Sequence, residues 1–276
     1  MASHRQRNDR PEARPKAKRL WSPSPAPGAG PHHRRRAEEG QSEWLWGWHA
    51  VVAALENPAR PSPKLLLASA DRARALAERL GADLPLEVME SAAIAQALPS
   101  GVIHQGVALR TPPIEPVALD ELATPARGLL LMLDQVTDPQ NVGAIFRSAA
   151  AFGARGVVVQ DRHAPALTGA LAKAAAGAVD KIPHARETNL SRALERLETL
   201  GWRSVGLDGA AENELADVLD GAPTVLVLGS EGEGLRRLVG EHCEVLARIP
   251  MPGRFESLNV AAAAAVALYE AGGRRR

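Results

Sequence analysis

Short apolar runs alternate along this chain with segments whose apolar residues recur every three or four positions. Beyond residue 128 the apolar runs are continuous, as in Leu129–Leu133 and Thr224–Leu228, which is typical of strands covered on both faces. The segment after the first run carries apolar Val142, Ile145, Ala149 and Phe152 on one helical stripe. Repeated alternation of this kind predicts an α/β fold with a mainly parallel sheet and helices on both faces.

In this larger unit, residues 128–272, the pattern predicts six strands and six helices. The strands are expected at 129–133, 156–159, 181–182, 204–207, 224–228 and 245–249. The helices are expected at 139–153, 167–176, 190–200, 214–219, 235–242 and 260–270, with Asp138 before Pro139 as a good helix start. Ligands of parallel sheets bind outside the carboxyl ends of the strands, so the loops after each strand are the places to look for a site.

A smaller α/β unit is expected at residues 44–110. Its pattern predicts strands at 65–68, 86–89 and 107–109 and helices at 49–55, 71–80 and 91–98, with Ser91 as a helix cap. Residues 111–127, which include consecutive prolines, predict a stiff linker with a local helix at 119–122.

Three tryptophans, Trp44, Trp46 and Trp48, stand at alternate positions where this smaller unit begins. An extended chain would place all three on one side. Such a stripe can stack on nucleic-acid bases, but packing in a core or between domains is the more common use.

Charge is distributed unevenly, although the formal net charge is only +1. Residues 1–40 carry a local charge of +6, and the remainder carries −5. Residues 1–43 are rich in Pro, Arg, Gly and Ser without apolar periodicity, which predicts a disordered basic tail. Such a tail attracts polyanions without sequence specificity.

Cysteine and hydropathy patterns narrow the class of protein. Cys243 is the single cysteine, which excludes an intrachain disulfide and a cysteine-rich zinc site. The charged N-terminus has no apolar h-region, and no apolar run approaches the roughly 20 residues that span a membrane. We therefore expect a cytoplasmic, soluble protein without a membrane or metal partner.

Polar residues gather in loops after the predicted strands. The turn at 229–234 carries Glu231, and the turn at 249–259 carries Ser257 and Asn259. Asn141 and Arg147 lie at the start and on the non-core face of the helix that follows the first strand of the larger unit. Because Gly143 stands four residues before Arg147, we expect the guanidinium to lie back over a side-chain-free turn toward the sheet edge.

Several familiar sites are excluded by their missing motifs. The chain has no G-x-x-x-x-G-K-[ST] segment and no G-x-G-x-x-G after the first strand, which argues against a P-loop nucleotidase and a dinucleotide oxidoreductase. It has no G-x-S-x-G elbow, and its eight histidines lack metal-ligand spacing.

Three segments, 138–147, 228–235 and 249–260, resemble in order and spacing the three motifs of the SpoU/TrmH family of RNA ribose 2′-O-methyltransferases. The opening Gly-x-His-Ala-Val at 47–51 and His-Gln-Gly at 104–106 look like that family's small substrate-binding domain, and most like the branch that methylates 23S rRNA guanosine. The resemblance covers about residues 46–272. Two positions depart from the family pattern, Ala175 and Ala261, where serine is common.

The resemblance implies a trefoil knot near the C-terminal end, S-adenosylmethionine as cofactor, and a homodimer with composite active sites. By motif position it implies cofactor contacts from four residues, Gly229, Ile249, Met251 and Leu258. It also implies five residues around the reacting ribose: Asn141, Arg147, Glu231, Ser257 and Asn259.

The chemistry of these residue types suits such a reaction. A ribose 2′-hydroxyl is a weak nucleophile until its proton leaves, so an enzyme must align it and assist that loss. Our hypothesis is that Arg147 positions the 2′-oxygen and the adjacent phosphate, and that Glu231 and Asn141 orient Arg147 and the sugar. A guanidinium rarely gives up its own proton, so the base is left open. A tRNA methyltransferase and a non-catalytic RNA- or ribosome-binding factor are the alternatives.

Overall fold

The computed structural model describes residues 44–81, 84–253 and 257–273, and the predicted basic tail lies outside these ranges. Two sheets form the described part. The first sheet is built from four strands, β1 (Trp44–Trp46), β2 (Leu65–Ala68), β3 (Leu86–Val88) and β4 (Val107–Arg110). Its order is β1-β4-β2-β3, and only the β2–β3 pair is parallel.

Three helices accompany this small sheet: α1 (Trp48–Glu56), α2 (Ala70–Leu80) and α3 (Ser91–Gln96). Each lies within about two residues of its predicted position. Ser91 is the first helical residue, and Glu90 occupies the cap position for which we had expected Ser91. Leu76 and Ile94, both fully buried, anchor α2 and α3 to the sheet.

The second sheet has seven strands, all paired in parallel, in the order β7-β6-β5-β10-β8-β11-β9. The strands are β5 (Leu129–Leu133), β6 (Gly156–Gln160), β7 (His184–Glu187), β8 (Arg203–Leu207), β9 (Asn213–Glu214), β10 (Thr224–Leu228) and β11 (Val245–Arg248). Every residue of β5, β6 and β10 is buried, as their continuous apolar runs predict. The predicted parallel-sheet architecture is confirmed.

Helices cover both faces of the large sheet. They are α4 (Leu119–Ala123), α5 (Pro139–Ala151), α6 (Gly169–Ala175), α7 (Leu190–Thr199), α8 (Leu215–Val218), α9 (Arg237–Glu241) and α10 (Val260–Gly273), with a short 3-10 turn at Ala178–Asp180. One core lies between the sheet and α5, α6 and α10. The other core lies on the opposite face, against α4, α7 and α9.

In the large sheet, one predicted strand lies at a different position and one short strand was not predicted. The strand expected at 181–182 lies instead at His184–Glu187, and the short β9 was not predicted. Both are at the ends of the sheet, β7 at one edge and β9 at the other. Edge strands tolerate polar residues, so β7 lacks the apolar run by which the central strands are recognised.

The proline-rich segment between the two units packs closely on the large sheet. Its helix α4 buries Leu119, Leu122 and Ala123, and the indole of Trp202 donates a hydrogen bond to the carbonyl oxygen of Ala123 at 2.8 Å. This segment therefore forms part of the core under the second face and is not a free tether.

The tryptophan stripe is broken by Gly47, which adopts φ 90° and lets Trp48 begin α1. The expectation that all three rings share one face of an extended chain is therefore wrong for Trp48. Trp46 is buried, and its ring lies against Gly169 of α6, where an added Cβ would approach it to 2.9 Å. The Trp48 ring carries the guanidinium of Arg72 at 4.7 Å. Packing between the two units accounts for Trp46.

A buried ion pair joins the two units. Arg60 donates through Nε to Oδ1 of Asp180 at 2.6 Å, and both side chains are 2% exposed. Asn57 donates to the same oxygen at 3.1 Å. Beside this pair, Gly177 lies so close to α1 that an added Cβ would be 2.8 Å from the carbonyl oxygen of His49. These contacts hold α1 directly against the 3-10 turn.

Across the described residues, no helix is long and apolar enough to span a membrane.

Candidate active site

Three loops meet at the carboxyl edge of the large sheet. The first follows β5 and leads into α5, the second follows β10, and the third follows β11 and leads into α10. Since β5 and β10 are paired neighbours with matched ends, Leu133 against Leu228, their loops emerge side by side. The third loop is described except for residues 254–256. The predicted polar residues therefore lie in adjacent loops although they are far apart in sequence.

Glu231 is the point at which these loops are hydrogen-bonded together. Its Oε1 accepts from Nδ2 of Asn259 at 2.6 Å and from Nδ2 of Asn141 at 3.0 Å. Asn259 also donates to Oδ1 of Asn141 at 2.9 Å. One carboxylate and two amides from three separate loops thus form a closed network.

The network stands at the starts of two helices. Asp138 caps α5 by accepting from the backbone N–H groups of Gln140 and Asn141, as predicted, which leaves the Asn141 side chain to bond Glu231. Oδ1 of Asn259 accepts from the backbone N–H groups of Ala261 and Ala262 at the start of α10. The positive ends of both helix dipoles favour the negative charge of Glu231 between them.

Asp134, which follows β5 and is fully buried, holds the C-terminal end of the second loop in place. Its carboxylate accepts from the backbone N–H of Arg236 at 2.9 Å and from Nε of the same residue at 2.7 Å. Burial, together with the charge of Asp134, raises the pKa of the Cys243 thiol to about 12. The thiol is therefore protonated at neutral pH and unsuited to act as a nucleophile.

A cavity of about 670 Å³ opens between the second and third loops and the end of β8. All four residues predicted to contact the cofactor line it: Gly229, Ile249, Met251 and Leu258. Glu231 and Ser257 line it too. Ligand cavities in proteins have this size, with apolar walls and a few polar groups.

The lining suits S-adenosylmethionine. With the cofactor bound there, Leu228, Ile249 and Leu258 would offer apolar contact to its adenine ring, the glycine-rich loop would present backbone groups, and the Glu231 carboxylate would face its sulfonium charge. Within the described ranges, no group of three or more His, Cys, Asp or Glu side chains is arranged to hold a metal ion.

One part of the cavity wall was not predicted from the sequence: the turn Asp208-Gly209-Ala210 after β8. Asp208 accepts from the backbone N–H of Ala210 at 2.8 Å, which shapes the turn. The sequence could have indicated this turn, because it follows the predicted strand at 204–207 and so lies at the same carboxyl edge of the sheet as the other loops.

Gly229 is a glycine because the second loop folds back on itself. An added Cβ would lie 2.0 Å from the carbonyl carbon of Gly234, far inside contact distance. Ser230 and Gly234 close the turn with two backbone hydrogen bonds of 3.1 Å. A side chain at Gly229 is therefore incompatible with the shape of this cavity wall.

Arg147 lies apart from the Glu231 network. It is exposed on α5 and lines a second, smaller cavity of about 330 Å³ with His49 and Lys181. The expectation that Gly143 leaves an open turn beneath the guanidinium of Arg147 is wrong. Gly143 is buried, and an added Cβ would lie 2.5 Å from the carbonyl oxygen of Leu171. Gly143 is small because α5 and α6 pack closely, not because Arg147 lies over it. Ala175, one of the two departures, also lines this second cavity.

The fold and the loops define a class of enzyme that transfers a methyl group to RNA, and comparison with known proteins bears this out. Residues 128–269 match the model of the SpoU rRNA Methylase family, and the chain belongs to that family.

A curated relative, the 23S rRNA (guanosine-2′-O-)-methyltransferase RlmB of Xylella fastidiosa, is 39% identical over 84% of this chain and 96% of its own length. A Mycobacterium avium protein described as an uncharacterized tRNA/rRNA methyltransferase is 38% identical over 95% of this chain and 84% of its own. The crystal structure of the SpoU methyltransferase AviRb from Streptomyces viridochromogenes in complex with AdoMet aligns with a TM-score of 0.73. The two sequences are 26% identical, and the alignment covers 90% of this chain and 94% of the AviRb chain.

These findings confirm the predicted family, the enzyme class and the cofactor S-adenosylmethionine. The trefoil knot that the family resemblance implies stays a prediction, as do the roles of individual site residues.

Proposed function

We propose that this enzyme methylates the ribose 2′-hydroxyl of a guanosine in 23S rRNA. The observation that carries the proposal is the network of Asn141, Glu231 and Asn259 at the rim of the cavity lined by Gly229, Ile249, Met251 and Leu258. The choice of RNA rests on the relative from Xylella fastidiosa, which matches over nearly its whole length. A ribosomal RNA substrate would place the enzyme in the cytoplasm.

S-adenosylmethionine, when bound, supplies a methyl group already activated by its sulfonium. The protein's own residues then have to align the acceptor ribose and assist loss of its proton. Asn141 and Asn259, which are hydrogen-bonded to Glu231, would hydrogen-bond the sugar, and Ser257 would contribute from the wall of the cavity. The guanidinium of Arg147 would stabilise the negative charge that develops on the 2′-oxygen.

The small domain, residues 44–110, is proposed to hold the RNA beside this site, and the basic tail to add unspecific attraction. The tail lies outside the described residues. A tRNA substrate is the second candidate, because the Mycobacterium avium relative is described as acting on tRNA or rRNA.

Methylation of defined RNAs tests the proposal. The purified protein and S-adenosylmethionine would be incubated with unmodified 23S rRNA or with bulk tRNA, both from a strain that lacks the gene. Nucleoside mass spectrometry should detect 2′-O-methylguanosine in the rRNA alone. Product in the tRNA alone would select the second candidate. Cofactor binding by calorimetry without any product would favour a non-catalytic RNA-binding factor.

We further propose that the enzyme acts as a homodimer with composite active sites. An apolar surface supports this: Val266 and Tyr269 of α10 are 43% and 71% exposed, and Phe152 beside them is 38% exposed. The rings of Phe152 and Tyr269 meet edge to face at 6.2 Å. An exposed apolar face of this kind fits the two-fold interface of a homodimer. Composite sites would also explain why Arg147 and Glu231 line different cavities within one chain.

Light scattering and subunit mixing test the dimer. Tyr269→Lys, which places a charge on the apolar face, should shift the protein to monomers and abolish methylation. In a separate test, Arg147→Ala and Asn259→Ala would be co-expressed. If each site draws these residues from different chains, random pairing should restore about a quarter of wild-type activity. A dimeric Tyr269→Lys protein, or a mixture as inactive as its components, would contradict the respective idea.

A further inference from the structure

The second cavity, about 330 Å³, lies at the junction of the two units. Its walls come from three separate places in the chain: His49 of α1, Arg147 of α5, and Lys181 just after the 3-10 turn. Its floor consists of the small residues Ala175, Ala176 and Ala178. The cavity therefore has one arginine, one lysine and one histidine around an uncharged base of alanines.

No carboxylate lines this cavity, and within the described ranges none of its three basic side chains is in an ion pair. The carboxylate nearest in sequence, Asp180, is already buried against Arg60 and Asn57. Unpaired cations that face one concave surface attract an anion, because their charges add there. The lining without a counter-charge therefore favours an anionic ligand at this place.

Both sides of the cavity are held in place. Asp180, next to Lys181, is fixed by the buried ion pair with Arg60. On the other side, Gly177 allows the backbone of α1 at His49 to lie directly on the 3-10 turn, since any side chain there would collide with the His49 carbonyl oxygen. The backbones that carry His49 and Lys181 are therefore held in place, which lowers the cost of ordering their side chains around a ligand.

We propose that His49 and Lys181, together with Arg147, bind one backbone phosphate of the substrate RNA at the junction of the two units. Arg147 and Lys181 offer charge-assisted hydrogen bonds to phosphate oxygens, and an imidazole donates one in either protonation state. The small domain thus contributes to the reaction through His49, by fixing the RNA backbone beside the residue assigned to the 2′-oxygen. This inference rests on the proposed function, since it takes the ligand to be RNA.

Three variants separate this role from catalysis. Lys181→Gln removes one cation, His49→Ala removes one donor, and Lys181→Arg retains the charge. Arg192→Gln is the matched control, because Arg192 is an exposed cation on α7, on the opposite face of the sheet. The three side chains changed, His49, Lys181 and Arg192, are all exposed, so thermal melting should be unchanged in all four variants.

With 23S rRNA as substrate, Lys181→Gln and His49→Ala should each raise the KM for RNA by about tenfold. The kcat and the Kd for S-adenosylmethionine should stay as in the wild type, and Lys181→Arg and Arg192→Gln should resemble the wild type. Normal KM values for both Lys181→Gln and His49→Ala would overturn the inference.

A binding measurement keeps the test independent of the substrate assignment. Anisotropy of a fluorescent single-stranded RNA oligonucleotide would be titrated at several salt concentrations. Lys181→Gln should reduce the slope of log K against log salt by about 0.7, the contribution of one released counterion, while Arg192→Gln should not. If the wild type failed to methylate 23S rRNA, the proposed function would fall and this measurement would still decide the inference. An unchanged slope in Lys181→Gln would reject it, and binding of an acidic peptide in preference to RNA would assign the cavity to a protein partner.

Discussion

Glu231 holds the loops of the site together through hydrogen bonds. One of its carboxylate oxygens accepts from the side-chain amides of Asn141 and Asn259 and from the backbone N–H of Val260. The three residues are far apart in sequence. Asn141 lies 90 residues before Glu231 and 118 residues before Asn259. The carboxylate is exposed, so its value to overall stability is small, while its value to the arrangement of the loops is large.

Replacing Glu231 by Ala should therefore lower kcat at least about tenfold, since the amides of Asn141 and Asn259 lose a charged acceptor worth roughly 1.5–3 kcal/mol. Single-turnover methylation would measure the loss, and urea denaturation should show a change in unfolding free energy of only about 1 kcal/mol. Glu198→Ala, at an exposed position of α7 on the opposite face, is the control. Full activity of Glu231→Ala would remove this residue from the site.

His184 gives a prediction about pH. It is buried at the start of β7 with the ring of Phe146 edge-on at 6.4 Å, and burial, with a smaller effect of Arg186, lowers its pKa to about 4. In the unfolded chain the pKa is about 6.5, so between these values the unfolded state binds more protons. The free energy of unfolding should therefore fall as pH drops from about 6.5 towards 4, by up to roughly 3 kcal/mol.

Urea denaturation of the wild type and of His184→Gln at pH 7.5, 6 and 5 would measure this effect. The variant cannot titrate at position 184, so the difference between the two proteins should narrow as the pH is lowered. Parallel curves for the two proteins would show that His184 makes no contribution.

At the scale of elements, the structure depends on close approaches that only glycine permits. Gly143 lets α5 pack against α6, and Gly229 lets the second loop close on itself. The periodic pattern predicted these elements well, because a helix stripe or a buried strand is encoded in neighbouring residues. It predicted the reason for Gly143 wrongly, because the partner helix α6 lies more than 25 residues further along the chain.

Gly229→Ala should weaken binding of S-adenosylmethionine by at least about tenfold, because the added methyl group overlaps the backbone of Gly234 and forces the loop open. Isothermal titration calorimetry would measure the Kd. The control is Gly240→Ala in α9, where an added Cβ meets nothing within 4 Å and alanine favours the helix. Equal affinities of the two variants would mean that the loop does not shape the cofactor cavity.

At the scale of the whole molecule, the small sheet and the large sheet act as one scaffold. The buried pair of Arg60 and Asp180, the contact of Trp46 with Gly169, and the contact of α1 with Gly177 lie along one junction. The second cavity is formed by this junction, so its shape depends on how the two units are held together.

Arg60→Ala should destabilise the protein by about 3–5 kcal/mol, because it leaves the carboxylate of Asp180 buried without its cation. Chemical denaturation would measure the loss. The double variant Arg60→Met/Asp180→Leu, which removes both charges and retains apolar volume, should recover most of it. A double variant no more stable than the single one would show that hydrogen bonds of Arg60, such as that to the carbonyl oxygen of Pro112, matter more than the charge.

The sequence by itself determined the local secondary structure and which polar residues the loops carry. The apolar runs of β5, β6 and β10, the cap Asp138, and the loops with Asn141, Glu231 and Asn259 were all readable, because each depends on residues close together along the chain. Edge strand β7 and the Asp208 turn carried weaker local signals.

Only the tertiary structure decided which distant groups meet. It joined Glu231 to two amides from other loops, it placed Arg147 in a cavity with His49 and Lys181 and not in the cavity that Glu231 lines, and it buried Arg60 with Asp180. Such contacts depend on the order of strands in the sheet and on the close packing of helices. Those properties arise from the summed burial of apolar surface over the whole chain, which no single stretch of sequence encodes.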